Sequence, residues 1–238
     1  MGKAWLIGMP HEVWQGIRKK KACRLPPFWH DGWVNGFAKS INRHELFFSC
    51  SSDRREVFAS GLTLTSPYVT PDGWTMEILL RCFFSATVKY TGEVLQNSYY
   101  FLPLCEDEFE SLCAELSVVD KQARRKLKYL EKLAKREIAY DRLTSFLTQN
   151  GCASDEIKEV VKTLAKITNE YNGEEDLGEL KQLVDYIAFL LHADKHPSQQ
   201  WGPLWENLLN TWREFTTTLK PSEIKQLEKG AINLPFIG

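Results

Sequence analysis

Three groupings put chemically capable side chains close together in the chain. His192 and His196 stand four apart around Asp194, in the order HADKH. On a helix this spacing places both imidazoles on one face, where they can share a zinc ion. A zinc site needs about four ligands, and the local sequence supplies only these. Ala193 stands where helical metalloproteases carry a glutamate. Histidines near a helix end are also favoured by its dipole without any metal. No metal is therefore expected, and His192 and His196 are the positions at which one would bind.

The second grouping is Cys50, within Ser49-Cys50-Ser51-Ser52, and His44 upstream. A nucleophilic thiolate needs a base within hydrogen-bond reach, but six residues of strand separate the two by about 20 Å. His30 lies in an aromatic turn-like stretch, FWHDGW at 28–33, of a kind that lines a ligand pocket or plugs one end of a core. The third grouping is Glu137 and Asp141, four apart, which can do acid–base work if buried together. Carboxylates are rarely fully buried, so both are expected in solvent. There is no G-x-S-x-G, no P-loop and no G-x-G-x-x-G. No catalytic residue, cofactor or small-molecule ligand is assigned on this basis. An enzyme or zinc protein built on these His, Cys and carboxylate residues is the third-ranked reading.

The element that organises these residues is the stretch 120–149. Neither Gly nor Pro occurs between Pro103 and Gly151, and Ala, Leu, Lys, Arg and Glu dominate. At about 100° per residue from Ala123, Leu127, Leu130 and Ala134 share one face. Lys121, Arg124, Arg125, Lys128, Lys132, Lys135 and Arg136 fall on the opposite one. After Ile138 the pattern changes, with Glu137 and Asp141 on the formerly apolar side. A bend or a change of packing partner is implied. The basic face suits an acidic protein segment, or phosphates, which a cationic stripe neutralises without reading sequence.

Composition narrows the classes. The chain has 238 residues, 43% hydrophobic and 26% charged, which is ordinary for a globular protein with a real core. Its net charge of −1 is unlike that of a protein that coats DNA. The charge is a mosaic: 12 cations against 8 acids over 1–104, 5 acids and no cation over 105–119, 9 against 4 over 120–142, and 4 against 9 over 153–185. Helical segments of alternating sign predict that neighbours neutralise each other. The six cysteines contain no C-x-x-C pair and read as reduced core residues of a cytoplasmic protein. No apolar run reaches the length of about 20 residues that a membrane span needs.

The first half reads as β. Segments 44–50 and 56–64 form strands around Ser51–Arg55, Pro71-Asp72-Gly73 is a turn, and over 74–90 every even position is apolar or aromatic while the odd positions are mostly polar, with Leu79 and Phe83 among them. Seventeen residues of strand are too long to stay flat, so a bulge or bend is expected. A strand over 94–104 closes the sheet. Before it lies a basic run, Arg18, Lys19, Lys20 and Lys21, and Arg43, Arg54 and Arg55 sit near a hairpin. The second half reads as helices, with a Trp201, Trp205 and Trp212 stripe facing a core and an apolar tail, LPFIG, at 234–238. The fold class is α+β: an N-terminal antiparallel β-meander with short helices over 1–104, and a C-terminal helical bundle over 105–238. The leading functional expectation is a non-enzymatic cytoplasmic interaction module or accessory subunit that binds a protein partner through charged helix faces. Nucleic-acid binding through Arg18–Lys21, Arg54, Arg55 and the central basic face is the alternative.

Overall fold

The first strand, β1 (Ala4–Met9), is buried at all six positions. A strand sealed on both faces belongs inside a sheet rather than at its edge. In the computed structural model, which describes residues 4–18, 20, 22–27, 40–92, 99–170, 177–191 and 198–234, β1 lies between two partners. It pairs parallel with β3 (Leu46–Ser51) and antiparallel with β8 (Tyr100–Leu104). The other strands of this sheet are β2 (Ala22–Arg24), β4 (Glu56–Thr63) and β7 (Glu77–Lys89), and the order is β2-β7-β4-β3-β1-β8. The simple meander is thus corrected. The parallel β1–β3 pair needs a crossover, and part of it is helix α1 (His11–Arg18), which buries Trp14 and Ile17 against one face. That face holds Trp5, Ile7, Met9, Phe47, Ile78 and Phe101 in one core.

The expected bend is present. The alternating run divides into β6 (Gly73–Thr75), paired with β5 (Tyr68–Thr70), and the thirteen-residue β7. Against β4 the register of β7 shifts twice, near Val57/Ala59 and Ser60/Gly61. Each bulge adds local twist and lets the long strand curl.

Helix α2 (Glu106–Val119) lies on this sheet, against β7 and β8, rather than in a separate bundle. Its Phe109 ring meets Phe48 of β3 at 5.8 Å between centroids. Helix α3 (Ala123–Gln149) follows. The chain divides into two compact units, 1–134 and 135–238, and α3 runs through the boundary. Helices α4 (Ser154–Glu170), α5 (Leu177–Leu190), α6 (Ser198–Thr216) and α7 (Pro221–Glu228) complete seven helices among the described residues. In the second unit Tyr140, Leu143 and Leu147 of α3 join Val160, Leu164, Ile187, Trp212, Phe215 and Leu227 in a second core. Trp201 and Trp205 pack partly buried against it, as their spacing predicts, and so does Leu234. The rest of the apolar tail lies outside the described residues.

Along α3 a buried line runs through Ala123, Leu127, Leu130, Leu133, Glu137, Tyr140, Leu143 and Leu147, seven steps in 24 residues, with Ala139 buried beside it. That is about 3.4 residues per step against 3.6 per turn, so the buried line drifts around the helix by roughly 120°. The change of pattern near Ile138 is therefore a gradual rotation. It also corrects one expectation: Glu137 lies on the drifting line and is fully buried, while Asp141 is half-buried.

Candidate functional site

Asp120 sets where α3 begins and which way it faces. Its backbone N–H ends α2 on the Leu116 carbonyl, and its own carbonyl accepts from Ala123 N–H. Its Oδ1 accepts from Gln122 N–H at 2.8 Å, leaving Oδ2 for two further donors. These are the Ser85 N–H of β7 at 3.1 Å and the Lys126 ammonium at 2.6 Å. Lys126 Nζ also donates to the Phe83 carbonyl at 2.7 Å and stands 5.9 Å from the Phe84 ring centroid. The pair thus occupies a carbonyl and an N–H of β7 beyond the three residues that β2 covers. It does for that edge what a further strand would otherwise do. The Lys126 hydrogen bond, followed by the N–H groups of Gln122 and Ser85, holds the Asp120 carboxyl below its ordinary range.

With Lys126 turned inward, the basic ladder turns outward. Lys121, Arg124, Arg125, Lys128, Lys132 and Lys135 are all exposed. Among the described residues none of the six joins an ion pair. Arg124/Lys128 and Lys128/Lys132 are like charges four apart on the helix, each pair costing about 0.2–0.5 kcal/mol. Tyr129 stands 47% exposed in the same helix, four residues after Arg125 and three before Lys132. Arg136, by contrast, is withdrawn from the ladder. It donates to Glu223 at 3.0 Å and to the Thr218 carbonyl.

The mutual neutralisation expected of the helices occurs in the second unit and not at the ladder. Arg142 pairs with Glu214 at 2.9 Å, and Lys166 pairs with Glu179 at 2.9 Å. In the first unit Glu106, Asp107, Glu108, Glu110 and Glu115 of α2 are exposed, and no ion pair among the described residues joins them to α3. Glu110, Glu131 and Arg124 all act on Cys113, so α2 and the first turns of α3 lie within electrostatic reach.

The remaining basic candidates are dispersed. Arg18 is exposed, with its guanidinium 5.0 Å from the Phe83 ring centroid. Lys20 is exposed, while Lys19 and Lys21 lie outside the described residues. Arg54 is exposed beside Asp53 at 3.9 Å. Arg55 has φ +55° and turns inward to donate to the Gly92 carbonyl. Arg43 precedes β3 and donates to the Leu64 carbonyl at 3.0 Å, whereas Arg54 and Arg55 follow that strand, so the three share no edge.

Among the described residues Cys50 and His44 are not brought together. Cys50 is fully buried, and burial pushes its thiol up to about 11. His44 sits in a turn at φ +63° before β3 begins, at the far end of that strand from Cys50. Burial likewise raises Cys82 and Cys152 to about 11 and Cys113 to about 12, and all six thiols are free. Tyr140 is raised chiefly by burial, with Glu137 and Asp141 adding to it. His30, with its aromatic stretch, and His192 and His196 lie outside the described residues. Among the described residues no cluster of His, Cys, Asp and Glu is arranged to hold a metal, and no helix is long and apolar enough to cross a membrane.

No family model and no curated protein matches this chain. Among solved structures it is similar to a protein of Rhodopseudomonas palustris determined by NMR, at 12% identity and a TM-score of 0.41, over 50% of this chain and 95% of that one. It is also similar to a crystallised protein of Pseudomonas syringae, at 11% identity and a TM-score of 0.40, over 48% of this chain and 99% of that one. A hypothetical protein from Leishmania major aligns at 10% identity and a TM-score of 0.41, over 50% and 96%. Likeness at this level carries no functional argument.

Sequence reasoning found the ladder and missed what orients it. Asp120 and Lys126, six apart, gave no pattern of their own, because their shared partners are backbone groups of β7, 35 and 43 residues away. Tyr129 was legible as an aromatic on the polar side of an amphipathic helix.

Proposed function

We propose that this protein is a non-enzymatic cytoplasmic interaction module, an accessory subunit that engages an acidic protein segment through the outward face of α3. The observation that carries this reading is the set of six exposed cations with no ion-pair partner among the described residues. Like charges held on one helix face repel, and an acidic partner relieves that repulsion. The stretch from Lys121 to Lys135 is about 21 Å long, which suits a short acidic helix or extended segment. Buried, protonated thiols argue against cysteine catalysis in the described residues.

Fluorescence anisotropy with a labelled polyglutamate peptide tests the proposal. Binding is expected at low salt and weakens as salt screens the face. The variant Arg125→Gln/Lys128→Gln/Lys132→Gln is expected to bind at least about tenfold more weakly, the loss of roughly 1.4 kcal/mol. Equal binding by the variant, or none by the native protein at low salt, refutes it.

Nucleic acid is the second reading, and one observation favours it. The exposed Tyr129 ring between Arg125 and Lys132 offers a stacking surface amid cations. A single-stranded oligonucleotide that displaces the polyglutamate peptide, with tighter binding that depends on Tyr129, would put this reading first.

A further inference from the structure

The first unit carries two charged surfaces of opposite sign that do not satisfy each other. On α2, Glu106, Asp107, Glu108, Glu110 and Glu115 are exposed, and the helix contains no Lys or Arg. The acids extend over about 14 Å of helix, and the cations from Lys121 to Lys132 over about 16 Å. The elbow between the helices exposes Val118 at 83% and Val119 at 38%. Along the outer line of α2, Ser111 and Ala114 are small and exposed, so a second helix can approach closely between the flanking acids.

We infer that the acidic partner of the α3 face is α2 of a second copy of this chain, in a two-fold dimer in which each α2 lies on the other copy's α3. The inference rests on the reading of α3 as an acid-binding face and supplies its partner. Charge complementarity selects the occupant. A contact between identical surfaces must be self-complementary, and a surface with an acidic half beside a basic half meets that condition when rotated by 180°. Both helix–helix contacts then form at once. The valines fall between them, as the apolar centre of an interface with a charged rim. Because the attraction is carried by exposed charges, the dimer weakens as salt rises.

Sedimentation equilibrium of the full chain tests this. At low salt the mass is expected at twice the 27.5 kDa of one chain, falling to one chain at high salt. Two variants separate the halves of the contact. Asp107→Lys/Glu110→Lys/Glu115→Lys makes both faces basic, and Arg125→Glu/Lys128→Glu/Lys132→Glu makes both acidic. Each is expected to be monomeric alone, and an equimolar mixture is expected to recover a heterodimer, since every basic face then meets an acidic one. Recovery also shows that both variants are folded. A native chain that stays monomeric at low salt overturns the inference, as does a dimer that survives either reversal. So does a pair of variants with native circular dichroism that fail to combine. A monomeric native chain that still binds polyglutamate through α3 overturns the dimer and leaves the acid-binding reading standing. A chain that does neither overturns both.

Discussion

Replacing Asp120 with alanine is the sharpest test of how α3 is held. The carboxylate accepts from Gln122 N–H in the turn before α3, accepts from Ser85 N–H and pairs with Lys126 at 2.6 Å, with Asp120 5% and Lys126 26% exposed. Loss of the turn hydrogen bond alone costs about 1 kcal/mol, and breaking a buried ion pair costs about 3–5 kcal/mol. These terms overlap, and Lys126 keeps the Phe83 carbonyl, so the expected loss is about 3 kcal/mol. Asp120→Asn keeps an acceptor for the Gln122 N–H and loses the charge, for an expected loss of about 1–2 kcal/mol. The sign with pH follows from the carboxyl lying below its ordinary range in the folded chain. Its contribution is full above the unfolded aspartate value of about 3.9 and is lost as pH falls through the lower folded value. Native protein and Asp120→Asn should therefore converge in stability on acidification. Two units need not unfold together, so the readout is hydrogen exchange at the Ser85 amide alongside urea unfolding. A difference below about 0.5 kcal/mol at neutral pH, within the range of ordinary surface changes, would refute the reasoning. So would a difference that persists unchanged in acid, or a Ser85 amide equally protected in both proteins.

Two further outcomes follow from packing and burial. A Cβ at Gly61 would run into the Leu79 carbonyl oxygen and crowd the Phe47 ring, so Gly61→Ala should cost about 3 kcal/mol, read as a lowered urea midpoint of the first unit; a neutral result would place the β4–β7 contact elsewhere. Iodoacetamide at neutral pH should modify the exposed Cys105 first. Cys50, Cys82, Cys113 and Cys152 should react only on unfolding, since burial keeps them protonated and covered; mass mapping that finds Cys50 labelled as fast as Cys105 would contradict this.

The parts of this structure that were legible share a short range. The β7 alternation, the Trp201–Trp212 stripe and the outward ladder of α3 each depend on residues two to four apart, and each stands where the periodicity placed it. The expected solvation of Glu137 failed for a related reason. A strict 100° projection assumes one fixed buried line, and the actual line drifts with a period nearer seven residues per two turns.

By itself, then, the sequence determined the longer strands and the helical second half, though not the short β2 and β5, and that α3 would carry a cationic side. Those properties are written in local side-chain order and backbone preference. Only the tertiary structure decided that β1 lies parallel to β3 inside the sheet, that Glu137 is buried, and that among the described residues the ladder finds no ion pairs while Arg136 and Arg142 find theirs. Strand order and salt-bridge partners join residues tens of positions apart. Several pairings bury similar apolar area and offer similar charges, so the choice among them rests on how all the elements pack at once.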